Sequence, residues 1–173
     1  MTLQATVVLV DNSDYMRNGD YSPSRFRNTL DVLNVVFTTK TQQHPENTLA
    51  VMTASKPRVL TTFTNQLGQF LGGVHHMDLH GTNEFLDALI VAQLALKNRT
   101  NKNQSQYILA FVGSPLADNK EDLIKMAKKL KKNSIAIDVV SLGEIKENQD
   151  KLEAFVGTVN NNENRYFLIH VAI

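Results

Sequence analysis

Apolar residues follow two rhythms along this chain, and the rhythms alternate. Gln4-Ala-Thr-Val-Val-Leu-Val-Asp11 is a continuous, β-branched run, the pattern of a strand buried on both faces. Phe26, Leu30, Leu33 and Phe37 then recur at helical spacing. That stripe predicts an amphipathic helix with Ser22 as N-cap and Pro23 at the first helical position. The helix is expected to stop near Lys40, ahead of the polar His44-Pro45-Glu46-Asn47 turn. Residues 48–53 and 58–63 read as two further strands joined through Lys56-Pro57. So short a turn favours antiparallel pairing, with the later strand on the sheet edge.

The alternation continues to the end. Residues 65–71 predict a short helix ended by Gly72-Gly73. After a polar loop, Thr82 is expected to cap a longer helix whose face is Phe85, Leu89, Ala92 and Leu96. Residues 106–112 form a buried-strand pattern that breaks at Gly113-Ser114-Pro115. A helix over 119–132 turns Leu123, Met126, Ala127 and Leu130 inward, a strand follows over 134–141, a helix over 150–159 and a strand over 166–171. Strands alternating with helices predict an α/β fold: a doubly wound, mostly parallel six-stranded sheet with one antiparallel edge strand and helices on both faces. No repeat or linker divides it, so residues 1–173 read as a single domain.

Composition narrows the function. Apolar residues are 42% and charged residues 20% of 173, the balance of a globular chain. The formal charge of +1 gives no reason to expect nucleic acid. Zero cysteines exclude disulfides, thiolate catalysis and cysteine zinc sites in this chain. No apolar run approaches the roughly 18 residues of a membrane span, and no basic segment precedes the first apolar stretch. The expected location is cytoplasm and nucleus.

The candidate chemistry lies at strand ends. Asp11 and Ser13 place a carboxylate and a hydroxyl in the crevice above the first strand, where open α/β sheets hold ligands. With Thr82 and an acid after residue 112 they would make an oxygen site for a divalent ion. Position 113 is glycine, however, and the next carboxylate is Asp118. The residues therefore predict loop hydrogen bonds rather than a metal. His75, His76, Asp78 and His80 match no structural zinc spacing. Lys125, Lys128, Lys129, Lys131 and Lys132 read first as a solvated helix end that complements the dipole, and second as a face for an acidic protein partner. No nucleophile elbow, P-loop or dinucleotide fingerprint is present, so no enzyme activity and no cofactor are expected.

Asp11-x-Ser13 after the first strand of such a sheet resembles the opening of the metal-ion-dependent adhesion motif of von Willebrand factor A domains. Two positions depart from that motif: Tyr15 stands where it has serine, and Gly113 where it has its last aspartate. Thr82 matches its threonine approximately. Asp11, Ser13, Tyr15, Thr82 and Gly113 are thus expected to mark a degenerate metal site. A more specific resemblance runs through Val10-Asp-Asn-Ser-Asp-Tyr-Met-Arg-Asn-Gly-Asp20, His44-Pro-Glu-Asn-Thr48, Arg58-Val-Leu-Thr-Thr-Phe-Thr64, Ala92-Gln-Leu-Ala-Leu-Lys97, Ala110-Phe-Val-Gly-Ser-Pro115 and Leu130-Lys-Lys-Asn133. These segments resemble the amino-terminal domain of the proteasome regulatory-particle family that serves as a ubiquitin receptor.

That resemblance implies a non-catalytic scaffold that docks near the junction of lid and base, in ubiquitin-dependent protein degradation. Its partners would be lid and base subunits, with ubiquitin bound only through a tail that this chain lacks, and with neither nucleic acid nor membrane. Asp14, Arg17, Asn18, Asp20, Ser114 and Pro115 are the expected contact residues. Two other readings stand beside it: a related domain in a general transcription and DNA-repair factor, and a metal-dependent ligand-binding domain.

Overall fold

The computed structural model describes residues 2–160 and the backbone of Leu168–Val171. Its strands are β1 (Gln4–Val10), β2 (Thr48–Thr53), β3 (Arg58–Thr64), β4 (Ser105–Val112), β5 (Ile135–Leu142) and β6 (Leu168–Val171). They form one sheet in the order β3-β2-β1-β4-β5-β6. Every pairing is parallel except β2 with β3, which is antiparallel and puts β3 on the edge. The expected architecture is therefore present. Of the last predicted strand, Tyr166 and Phe167 lie outside the described residues.

Among the described residues five α-helices cover the sheet: α1 (Arg25–Gln43), α2 (Leu67–His75), α3 (Phe85–Lys97), α4 (Lys120–Lys132) and α5 (Ile145–Val159). The period-two alternation of a strand sorts β1 between two cores. Ala5, Val7 and Leu9 face α3, α4 and α5, whereas Val8 and Val10 face α1 and α2. Phe85 meets Phe155 edge to face at 5.9 Å in the first core. Phe37 meets Phe70 at 4.8 Å in the second. Both distances suit aromatic pairs. Among the described residues no helix is long and apolar enough to cross a membrane.

Several helix ends differ from the sequence expectation, among them the end of α1, which runs on to Gln43 and not only to Lys40. Ser24, not Ser22, caps α1: its side chain accepts the Arg27 N–H at 3.0 Å, and Pro23 stays outside the helix. The helix α2 runs through Gly72 and Gly73 instead of ending there. Gly73 is a contact residue: a Cβ there would lie 1.9 Å from Thr61 Oγ1 and 3.1 Å from Val51, so only glycine lets α2 sit this close to β2 and β3. Thr82 does not cap α3. The helix begins at Phe85, and the Leu86 N–H is accepted by Asp118 from the loop after β4 at 3.3 Å. The last helix also starts earlier than its apolar stripe suggested, at Ile145.

Candidate functional site

β1 is the point where the winding reverses, with β2 on one side and β4 on the other. A crevice opens at the carboxyl end of such a strand. Asp11 is the first residue there and is fully buried. Its Oδ1 accepts the Ser13 N–H at 3.0 Å. Its Oδ2 accepts three donors: the Asn83 amide at 3.0 Å, the Gly113 N–H at 2.9 Å and the Ser114 hydroxyl at 2.6 Å. One carboxylate thus ties β1 to the loop before α3 and to the loop after β4.

The neighbouring residues extend this lacing. Asn12 Oδ1 accepts the Ser55 N–H at 2.8 Å, its amide donates to the Asp78 carbonyl at 2.9 Å, and its own carbonyl takes the His80 N–H at 2.9 Å. A single 3-10 turn, Asp14–Arg17, follows. Asp14 Oδ2 accepts the Gly81 N–H at 3.1 Å, and Arg17 donates to the Leu79 carbonyl at 2.9 Å. Met16 is the buried residue of that turn. It lies under Gly113, where an added Cβ would come within 2.2 Å of its sulfur.

A second charged node stands beside the first. Arg25 is 3% exposed. Its guanidinium reaches Asp20 at 2.5 Å, the Gly113 carbonyl at 2.6 Å and Glu144 at 3.2 Å. The hydrogen bond from Arg25 holds the Asp20 carboxyl below its usual value against the opposing effect of burial, and Asp20 raises Arg25 in turn. Gly143 makes room for this group. Its φ is +62°, and a Cβ there would meet the Arg25 guanidinium carbon at 2.4 Å. Asn148 completes the rim by accepting the Leu116 N–H at 2.9 Å and donating to the Ser114 carbonyl at 2.8 Å.

The predicted positions separate into two groups. Asp11, Ser13, Gly113 and Ser114 come together in the interior. Asp14, Arg17 and Asn18 are exposed, Tyr15 is 49% exposed, and Asp20 and Pro115 are partly covered. Ser114 is turned inward, with its hydroxyl on Asp11, and does not face outward as a contact residue. Thr82 is exposed, and its neighbour Asn83 makes the bond to Asp11. Asn83, Arg25, Glu144 and Met16 were missed by the sequence reading. Arg25 carried a signal: it stands one helical step of four before Thr29, Leu33 and Phe37, on the buried stripe. Met16 and Glu144 act through tertiary neighbours and carried none.

The donor set does not fit a hard dication. Mg²⁺ requires acceptor oxygens in octahedral array. Here the one carboxylate is already occupied by four donors, and position 83 presents an amide N–H toward it. Ser13 Oγ and Asn83 Oδ1 are buried with no hydrogen-bond partner among the described residues, but both are neutral. In the histidine loop, His76 Nδ1 lies 2.6 Å from the Gly72 carbonyl and His80 Nδ1 lies 3.2 Å from the Asp78 carbonyl. Among the described residues no group of three or more His, Asp or Glu is gathered as a metal set.

Residues 6–116 match the von Willebrand factor type A domain. The chain belongs to that family. Its place within the family is narrower. It is 46% identical over 170 residues to the 26S proteasome non-ATPase regulatory subunit 4 of Dictyostelium discoideum, covering 97% of this chain and 49% of that one. It is 42% identical over 165 residues to the 26S proteasome regulatory subunit rpn10 of Schizosaccharomyces pombe, covering 94% and 68%. The solved structure of the SpRpn10 VWA domain superposes with a TM-score of 0.92 at 40% identity, covering 98% of this chain and 88% of that chain. Family membership thus extends to the Rpn10 and non-ATPase subunit 4 branch. The chain spans about half the length of the Dictyostelium relative.

Proposed function

We propose that this chain is a non-catalytic docking domain of a proteasome regulatory-particle subunit. It stabilises the association of lid and base and positions a ubiquitin receptor for ubiquitin-dependent degradation in cytoplasm and nucleus. Ubiquitin itself would be bound by segments other than these residues. The observation that carries the reading is the bonding of Asp11. A carboxylate whose oxygens are occupied by Ser13, Asn83, Gly113 and Ser114 is a structural clamp, not an acid, base or metal ligand. What the clamp presents outward is a rim of fixed shape carrying Asp14, Tyr15, Arg17 and Asn18, and loops at this edge carry the ligands of open sheets. The relatives named as proteasome regulatory subunits supply the partner class.

Co-sedimentation of the purified chain with regulatory particles tests this. Association is expected, and Arg17→Glu combined with Tyr15→Ala is expected to weaken it while the domain stays folded, with a small fall in melting temperature from the lost bond between Arg17 and the Leu79 carbonyl. A folded domain that never co-sediments overturns the docking role, and undiminished binding by the double variant overturns the rim. The metal-dependent reading rests on the orphaned Ser13 and Asn83 oxygens. A melting shift in millimolar Mg²⁺ that is lost in Asp11→Ala would favour it; no shift is expected.

A further inference from the structure

The lysines of α4 take no part in the rim. At the opposite edge of the sheet, where β4 and β5 begin, the last turns of α3 and α4 flank an open groove of about 660 Å³. Lys97, Arg99, Lys102 and Lys129 line it, together with the apolar Leu94 and Ile135. No carboxylate is among the described residues that line it.

Helix ends explain only part of this charge. Cations offset the dipole within a last turn, yet Arg99 and Lys102 stand beyond α3, in the loop before β4. Arg99 is fixed from inside: it donates to the carbonyls of Gln104 at 3.0 Å, Leu96 at 2.9 Å and Lys102 at 2.9 Å. A guanidinium has five N–H donors, so two remain on a group already held in place, which lowers the ordering cost of binding. Lys120 and Lys125 on the same helix α4 are paired with Asp150 and Asp122. Lys97 and Lys129 are exposed and enter none of the ion pairs among the described residues. Leu94 is 53% exposed, one of few large apolar side chains so open.

We propose that this groove docks an acidic protein segment that sets an apolar residue against Leu94. Charge complementarity selects the acid, and the apolar wall selects a peptide. A phosphate backbone has nothing to place on Leu94, and no aromatic ring lines the groove for a base to stack on. The cations are spread along the walls, as suits a chain segment and not a single small anion. The aliphatic stems of Lys97 and Lys129 add further apolar surface beneath their charges.

The test is fluorescence anisotropy on the intact chain with a labelled short peptide of Glu and Asp around two leucines, against a Gln/Asn copy. The acidic peptide is expected to bind and the neutral copy not, with affinity falling as salt rises. Amide shifts should map to residues 93–106 and 129–135. Lys97→Glu combined with Lys129→Glu should weaken binding about tenfold, and Leu94→Ala about threefold; Lys97→Ala with Lys129→Ala gives a milder check on the same charges. No binding, shifts elsewhere, undiminished binding by the charge-reversed chain, or preference for a single-stranded oligonucleotide would each overturn the proposal. Peptide binding here and particle association through the rim are read separately.

Discussion

Replacing Asp11 by alanine and by asparagine gives two different losses, and the difference is worked from its four bonds. Alanine leaves the Ser13 N–H, the Asn83 amide, the Gly113 N–H and the Ser114 hydroxyl without their acceptor in a fully buried position. At about 1 kcal/mol per buried unsatisfied donor, the total is about 4 kcal/mol. Asparagine is milder because the bonds divide unevenly between the two oxygens. With its carbonyl oxygen in the place of Oδ2, it still accepts from three donors, and only its NH₂ is turned against the Ser13 N–H. It loses the charge assistance on three bonds and the whole of one, about 2 kcal/mol. For a chain of this size a 1 kcal/mol change moves the melting temperature by about 2–4 °C. Asp11→Ala should therefore fall by about 8–16 °C and Asp11→Asn by about half as much. Urea unfolding and thermal melts, run in parallel with and without millimolar Mg²⁺, measure both. Equal losses in the two variants, or an alanine cost below about 1 kcal/mol, would refute the clamp.

Three further outcomes follow from the packing. Gly113→Asp should cost about 1–3 kcal/mol because its Cβ meets the Met16 sulfur; the Gly113→Asp, Met16→Ala double variant should cost less than the two singles added, a coupling read by urea unfolding. Gly72→Ala should stabilise by about 0.5–1 kcal/mol, since nothing lies near its Cβ, whereas Gly73→Ala should destabilise through Thr61; the two melts side by side check this. Asp20 has a folded value below its unfolded one because Arg25 bonds its charged form. The stability from that pair is present above about pH 4 and is lost as pH falls through the lower folded value. Melts between neutral and acid pH should show a shallower acid limb in Asp20→Asn.

The sheet was legible because its signal is local. β1, β2, β4 and β5 are short runs rich in apolar residues whose type does not depend on what covers them, and the short Lys56-Pro57 turn announced the antiparallel edge. Helix ends were less legible: at α1 two nearby serines compete and Ser24, not Ser22, is the cap, although α4 was read to within one residue. At α3 the cap comes from Asp118, thirty-two positions away, so Thr82 looked the better candidate. At α2 two glycines imitated a stop, and Thr61 on a neighbouring strand is the reason one of them is there. The site divided in the same way. Asp11 and Ser13 are adjacent to a strand end and were readable; Asn83 and the Arg25 node are assembled by tertiary packing and were not.

The span of the bonds at Asp11 also bears on when the rim takes shape. Asn83, Gly113 and Ser114 stand 72, 102 and 103 positions along the chain from the carboxylate they bond. Contacts of such separation form late, after the loops between them have closed. During synthesis, a chain that has not yet reached Ser114 cannot close the clamp. On the proposed docking role, a partner that reads the rim would engage only after β1, β4 and the loop before α3 have met, and recognition there would double as a check that the fold is complete.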